Sequence, residues 1–159
     1  MKVGERMFVI IRGPLGAGKT TVARKLAEKL KGKHVSVDQL LEKKGLDRIE
    51  GECIPAKNFI KAIEGEVFEG TLVFDGNFYH KEQIEDLKMR LGGSCKIFTL
   101  KASLETCIER DKSRKRVYGE DAARAVHHLV SRFDEGIVID TENKTADQIV
   151  EEIFCHITK

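Results

Sequence analysis

Gly13-Pro14-Leu15-Gly16-Ala17-Gly18-Lys19-Thr20 satisfies the pattern G-x-x-x-x-G-K-[ST], and the chemistry of that spacing is the handling of phosphate. Glycines let the backbone curl so that successive N–H groups face inward, and a helix that follows at once adds the positive end of its dipole. Lys19 supplies a mobile cation for the β- and γ-phosphates of a nucleotide, and the Thr20 hydroxyl is placed to ligate magnesium. The expected nucleotide-binding set is therefore Gly13, Pro14, Leu15, Gly16, Ala17, Gly18, Lys19, Thr20 and the adjoining Thr21.

Two carboxylates close apolar runs elsewhere in the chain: Asp38 in Val35-Ser36-Val37-Asp38, and Asp75 in Leu72-Val73-Phe74-Asp75-Gly76. In a parallel sheet, ligands collect at the carboxyl ends of the strands. Asp75 is expected to share magnesium with Thr20, directly or through water. Asp38 is expected to accept the proton of an acceptor hydroxyl and orient its oxygen for in-line attack. The alternative is that Asp38 caps a helix over 39–43, Asp being among the best N-caps. A third cluster, Glu109-Arg110-Asp111-Lys112-Ser113-Arg114-Lys115-Arg116, packs five cations and two anions into eight residues. A charge run can be a mere solvated face. Its place between the fourth and fifth strands also suits a lid whose guanidinium groups neutralise a transferring phosphoryl and whose closure excludes water.

The elements that must position these groups are legible as a rhythm. Short β-branched or aromatic runs at 6–12, 33–37, 71–75, 95–100 and 136–139 alternate with amphipathic stretches, the mark of a parallel sheet covered by helices. Val22, Ala23, Leu26, Ala27 and Leu30 recur at helical spacing, as do Ala146, Ile149, Val150, Ile153, Phe154 and Ile157. Ser103 caps a helical start with Leu104, Cys107 and Ile108, and Thr145 with Gln148 forms a capping box for the last helix. The reading is one α/β domain over 1–159, of a size that leaves little room for a second.

Composition excludes other classes. The chain has 159 residues, 41% hydrophobic, with 28 Lys+Arg against 26 Asp+Glu and a net charge of +2, which argues against disorder and modestly against an extensive nucleic-acid surface. The longest apolar run, 7–11, falls far short of the ~20 residues that span a bilayer. No secretory signal precedes it, so a cytoplasmic location is expected. Four scattered cysteines and an adjacent His127-His128 pair give no metal-ligand spacing.

With these motifs in hand, the chain resembles small P-loop kinases, the broad group of adenylate, shikimate, gluconate and polynucleotide kinases. The resemblance covers nearly the whole length. It implies a three-layer α/β fold with a five-stranded parallel sheet in the order 2-3-1-4-5, an acceptor-binding helical region at about 39–68, and a short lid at about 111–121. It further implies that Arg110 flanks the base and Arg114 stabilises the transition state, with Arg116 in reserve. Ile139-Asp140-Thr141-Glu142-Asn143 resembles the loop that passes the adenine in such kinases. Several features depart from individual subfamilies. Asp75-Gly76-Asn77-Phe78-Tyr79 carries Phe-Tyr where adenylate kinases carry Pro-Arg, losing the arginine that grips an acceptor phosphate. The glycine triplet of shikimate kinases is missing, and Asn143-Lys144-Thr145-Ala146 fails the guanine motif of GTPases at its last position. Phe78 and Tyr79 could offer a stacking surface, or belong to the core and its rim. Glu50-Gly51-Glu52-Cys53-Ile54-Pro55 could bind a polyol or amine, or be a solvated loop.

The expectation is a kinase using ATP and Mg2+ to phosphorylate a hydroxyl of a small metabolite, nucleoside or nucleic-acid end, with Lys19, Asp38, Arg110 and Arg114 catalytic and Thr20 and Asp75 on the metal. Nucleic acid is a possible but not favoured partner, no membrane is involved, and oligomeric state stays open. The alternatives are a nucleoside-monophosphate kinase, an RNA-associated ATPase, and a nucleotide-sensing module.

Overall fold

The computed structural model describes residues 7–114 and 117–158. In chain order its elements are β1 (Met7–Arg12), α1 (Lys19–Lys29), β2 (Lys33–Ser36), α2 (Val37–Lys43), α3 (Ala56–Ile63), β3 (Leu72–Gly76), α4 (Lys81–Leu91), β4 (Ser94–Lys101), α5 (Leu104–Lys112), α6 (Glu120–Val130), β5 (Ile137–Asp140) and α7 (Ala146–Thr158). All strand pairs are parallel, and the sheet runs β2-β3-β1-β4-β5 as the resemblance implies. Among the described residues, no helix is long and apolar enough to cross a membrane. Arg6, expected in the first strand, and the reserve candidate Arg116 lie outside the described residues.

The two-residue period of the central strands builds both cores. Val9 and Ile11 on β1 join Val73, Phe98 and Leu100 against α1 and α7, where Val22, Leu26, Val150 and Ile153 complete the layer. Phe8 and Ile10 point the other way, with Leu72 and Phe74, into a layer that holds Phe59, Phe78, Ile84 and Leu87. The apolar faces read from periodicity in α1 and α7 are thus core faces. The predicted caps form: Ser103 Oγ accepts from Thr106 N at 3.1 Å, and Thr145 and Gln148 exchange bonds of 2.8 and 3.1 Å.

One expectation is corrected. β2 stops at Ser36 rather than continuing through Val37, because the Ser36 hydroxyl accepts from Gln39 N at 3.3 Å and starts α2 one residue later. Asp38 therefore neither ends the strand nor caps the helix. It lies in the first turn of α2, with the cap already supplied by Ser36.

A buried cation braces the sheet behind the phosphate turn. Arg12, the last residue of β1, is fully buried and donates to Phe133 O at 2.8 Å, Val130 O at 3.0 Å and Thr99 Oγ1 at 3.2 Å. Its guanidinium lies over the Phe133 ring at 4.3 Å. Burial pushes its pKa down to about 10, with Asp134 and Glu135 pulling upward, so it stays charged at neutral pH. The end of α6 is thereby tied to the root of the phosphate turn.

Candidate active site

The phosphate turn joins β1 to α1, and its Gly16 and Gly18 adopt φ of 85° and 88°, the left-handed conformation that glycine tolerates best. Pro14 O closes the turn by accepting from Ala17 N at 3.1 Å and from Lys19 Nζ at 2.9 Å. Helix α1 begins without a side-chain cap and without an acidic residue in its first turn. Its leading N–H groups and dipole thus favour an anion. Burial lowers the Lys19 pKa, while Asp38 and Asp75 act to raise it.

A cavity of about 430 Å³ opens over the turn. Leu15, Gly16, Gly18, Lys19, Thr20 and Thr21 line it, and the expected Asp38, Arg110 and Arg114 border the same space. The other expected residues serve from behind. Ala17 is in the core, Gly13 packs where a Cβ would come within 2.9 Å of Leu100 O, and Pro14 contributes its carbonyl to Lys19.

Asp75, 1% exposed, accepts a bond from Thr20 Oγ1 at 3.1 Å. Its second oxygen pairs with His34 Nε2. Two hard oxygen donors, held by a buried carboxylate and by the residue that follows the loop lysine, fit magnesium chemistry. Sequence reasoning missed His34, a lone histidine on β2. Its one signal is register: Ser36 pairs with Asp75, which puts His34, two residues earlier, on the same face.

Asp38 opens onto the cavity from α2. Packed protein around it pushes its pKa up, with the Lys19 ammonium pulling down and Asp75 adding to the rise. Beside it Tyr79 accepts a bond from Asn77 Nδ2 at 2.8 Å, and burial with the nearby Asp38 charge raises the phenol pKa, keeping it a proton donor. Phe78 instead packs in the core, its ring 5.2 Å from that of Phe59. Of the two sequence alternatives for this pair, Phe78 thus takes the core role and Tyr79 the rim. In the expected acceptor region, Glu50 and Cys53 form an isolated bridge, and Ile49 and Ile54 reach the cavity wall.

The opposite wall is α5. Arg110 donates to Thr141 O at 2.9 Å, Thr141 Oγ1 at 3.0 Å and Gly16 O at 3.5 Å, joining the phosphate turn to the β5–α7 loop. Glu142 in that loop accepts from Ser103 N at 2.6 Å and Thr106 Oγ1 at 2.8 Å, bonds that hold its carboxyl below the usual range. Arg114 lies over the Tyr118 ring at 5.2 Å. Asp111, also buried, accepts from Tyr118 N at 3.2 Å and Gly119 N at 2.9 Å. It so fixes the start of α6 against the end of α5. The bonds of Asp111 to residues seven and eight positions on, and of Glu142 to residues 36 and 39 positions back, have no local sequence signature.

A parallel 2-3-1-4-5 sheet, a Gly-rich turn ending in Lys19-Thr20 and an uncapped helix behind it define a P-loop phosphotransferase. The chain belongs to the AAA domain family, whose profile matches residues 8–135, and is an enzyme of the P-loop kinase class. It is 32% identical over 158 residues to the "Putative adenylate kinase" of Pyrococcus furiosus, across 93% of this chain and 82% of that protein. It is 29% identical over 178 residues to the cytidylate kinase of Sulfurisphaera tokodaii, across 95% of each. The crystal structure of a gluconokinase from Sinorhizobium meliloti 1021 shares the fold with a TM-score of 0.72 at 15% identity, covering 94% of this chain and 90% of that one.

Proposed function

We propose that this enzyme is an ATP- and magnesium-dependent kinase, acting in the cytoplasm, that moves the γ-phosphoryl group to a hydroxyl of a small acceptor. The observation that carries the reading is that Lys19, Thr20, Asp38 and Arg114 border one cavity, with Asp75 bonded to Thr20 beneath it.

In this reading Lys19 leaves Pro14 O for the phosphates, and the N–H groups of the turn and of α1 hold the remaining oxygens. Thr20 and Asp75 would hold magnesium, which when bound offsets charge on the phosphates; His34 keeps the Asp75 carboxylate oriented. Asp38 accepts the proton of the acceptor hydroxyl. Arg110, already fastened to Thr141, forms a floor for the base. Arg114 delivers its guanidinium to the transferring group, and the 111–121 segment excludes water. Positioning and electrostatics, rather than covalent chemistry, supply most of the rate. Residues 39–68 form the acceptor side of a single domain.

One other reading has a specific observation in its favour. Relatedness to proteins named adenylate and cytidylate kinase favours a nucleoside monophosphate as acceptor.

The test is incubation with γ-labelled ATP, magnesium and a broad metabolite and oligonucleotide extract, with the labelled product identified by mass spectrometry. A labelled phosphate ester is expected. Calorimetry silent towards Mg-ATP, together with no labelled product, would end the kinase reading.

A further inference from the structure

Sheet order gives the site two ends. Asp38 and Asp75 belong to the β2–β3 side of β1, whereas α5 and the β5–α7 loop lie on its β4–β5 side. With the reacting phosphate held beside Thr20, Asp75 and Asp38, the nucleoside half of a nucleotide leaves the turn toward α5, where Gly16 and Arg110 line the cavity.

One stripe of α5 is given over to the β5–α7 loop. Ser103 at the cap, Thr106 and Arg110 are spaced i, i+3 and i+7, so they share a face of the helix. All three end on two consecutive loop residues. Glu142 accepts from Ser103 N at 2.6 Å and from Thr106 Oγ1 at 2.8 Å. Thr141 accepts from Arg110 through its carbonyl at 2.9 Å and through its hydroxyl at 3.0 Å. Those two Arg110 bonds, with a third to Gly16 O at 3.5 Å, run in the plane of the guanidinium and leave its faces for a flat ring.

Thr141 is itself fully buried, and its hydroxyl both accepts from Arg110 and donates to Lys101 O at 2.9 Å. Its backbone amide is likewise engaged by Lys101 O at 2.8 Å. The loop therefore serves a base through the plane of Arg110 rather than through Thr141, and that plane follows wherever the loop stands. Glu142 ties the loop to α5 independently of Arg110.

Resting on the kinase reading, we propose that Glu142 is a positioning residue for the nucleotide: by bracing the loop against the first turn of α5 it holds Thr141, and through Thr141 the guanidinium of Arg110, where it stacks on the base. Glu142 touches neither the phosphates nor the reacting atoms. Its influence falls on the nucleoside half of the ligand and spares the triphosphate half, which the turn and the start of α1 hold by themselves.

The experiment is calorimetry on the full chain in magnesium, with ATP and with inorganic tripolyphosphate, which has the phosphates and no base. The wild type should bind both, ATP the more tightly. Glu142→Ala should weaken ATP by about 10-fold, the scale of one base stacked on a planar side chain, and leave tripolyphosphate unchanged. Thr106→Val removes one of the two bonds and keeps the side chain's shape; it should show the same selective loss in smaller measure, and it decides the matter if the alanine variant does not fold. Arg110→Met should also weaken ATP selectively, and adding Glu142→Ala to it should cost nothing further, because both act on one contact. Equal weakening of ATP and tripolyphosphate, ATP affinity unchanged in Glu142→Ala or Thr106→Val, or losses that add in the double variant overturn the inference. So does a wild type that binds ATP but binds tripolyphosphate equally tightly or not at all. A wild type that binds neither ligand refutes the kinase reading itself, and the role of Glu142 with it.

Discussion

Two alanine substitutions in the phosphate turn should separate backbone strain from packing. Gly16 and Gly18 have nearly the same φ, 85° and 88°, so a Cβ at either suffers a left-handed conformation worth about 1–2 kcal/mol. Their surroundings differ. Around Gly18 a Cβ would meet nothing within 4 Å, whereas at Gly16 it would lie 2.4 Å from Cys107 O and 3.0 Å from the Cys107 carbonyl carbon. Those atoms are backbone of α5, so relief requires the turn and the helix to part, an overpacking cost of about 1–3 kcal/mol more. Gly18→Ala should therefore cost about 1–2 kcal/mol and Gly16→Ala about 2–5, out of the ~5–15 kcal/mol that stabilises a domain. At roughly 2–4 °C per kcal/mol for a chain of this size, the second variant should melt distinctly lower than the first. The assay is thermal or urea unfolding without nucleotide, because both variants disturb phosphate binding and only the stability difference reports the contact with α5. Equal melting temperatures would show that the turn does not bear on Cys107 and that the α5 wall is placed by other means.

Other outcomes follow from the same geometry. Asp38→Asn should cut phosphoryl transfer by ~10²-fold or more with Mg-ATP affinity nearly intact; an unchanged turnover removes Asp38 from the chemistry. Desolvation by the surrounding protein raises the Asp38 pKa although the side chain is exposed to the cavity, so the folded state holds its proton somewhat more tightly than the unfolded chain does, and ionisation costs a little stability above the folded pKa. Asp38→Asn should therefore melt at or above the wild-type temperature at pH 7, and the acidic limb of the wild-type kcat/KM profile should lie above the ordinary carboxylate range and vanish in the variant. A lower melting temperature at pH 7 contradicts that sign. Asp75→Asn should raise the magnesium concentration for half-maximal activity by about 10-fold or more, as losing a carboxylate near a metal does; an unchanged magnesium curve assigns Asp75 to the Thr20 and His34 bonds alone. Arg12→Met should strand the carbonyls of Val130 and Phe133 and the Thr99 hydroxyl, costing about 3 kcal/mol or roughly 6–12 °C, and a loss under about 1 kcal/mol would mean water replaces the guanidinium.

The sheet was legible because its buried strands are near-continuous apolar runs, while its order came from the resemblance carried by residues 13–20. The error at Asp38 has a local cause. Val35-Ser36-Val37 alternates as a strand does, and only the Ser36 to Gln39 bond shows that the helix has begun. Helices α3, α4 and α6 drew no specific signature, and α4 opens at His80, a residue outside the usual capping set. The contacts that escaped notice are those whose partners are remote in sequence. His34 meets Asp75 across 41 positions, Glu142 meets Thr106 across 36, and Arg12 reaches Phe133 across 121. Such pairings are products of the fold, so no window of neighbouring residues contains them.

The guanidinium of Arg12 also sets how the molecule can come apart. It gathers groups from positions 99, 130 and 133 into one buried knot, so the last turn of α6 cannot fray without abandoning a cation in an apolar interior. Partial openings of the kind that usually release a helix end are closed to it. The amide of Ser131, bonded to His127 O at 3.0 Å, should then exchange with deuterium only as fast as the whole domain unfolds, although it lies at a helix terminus.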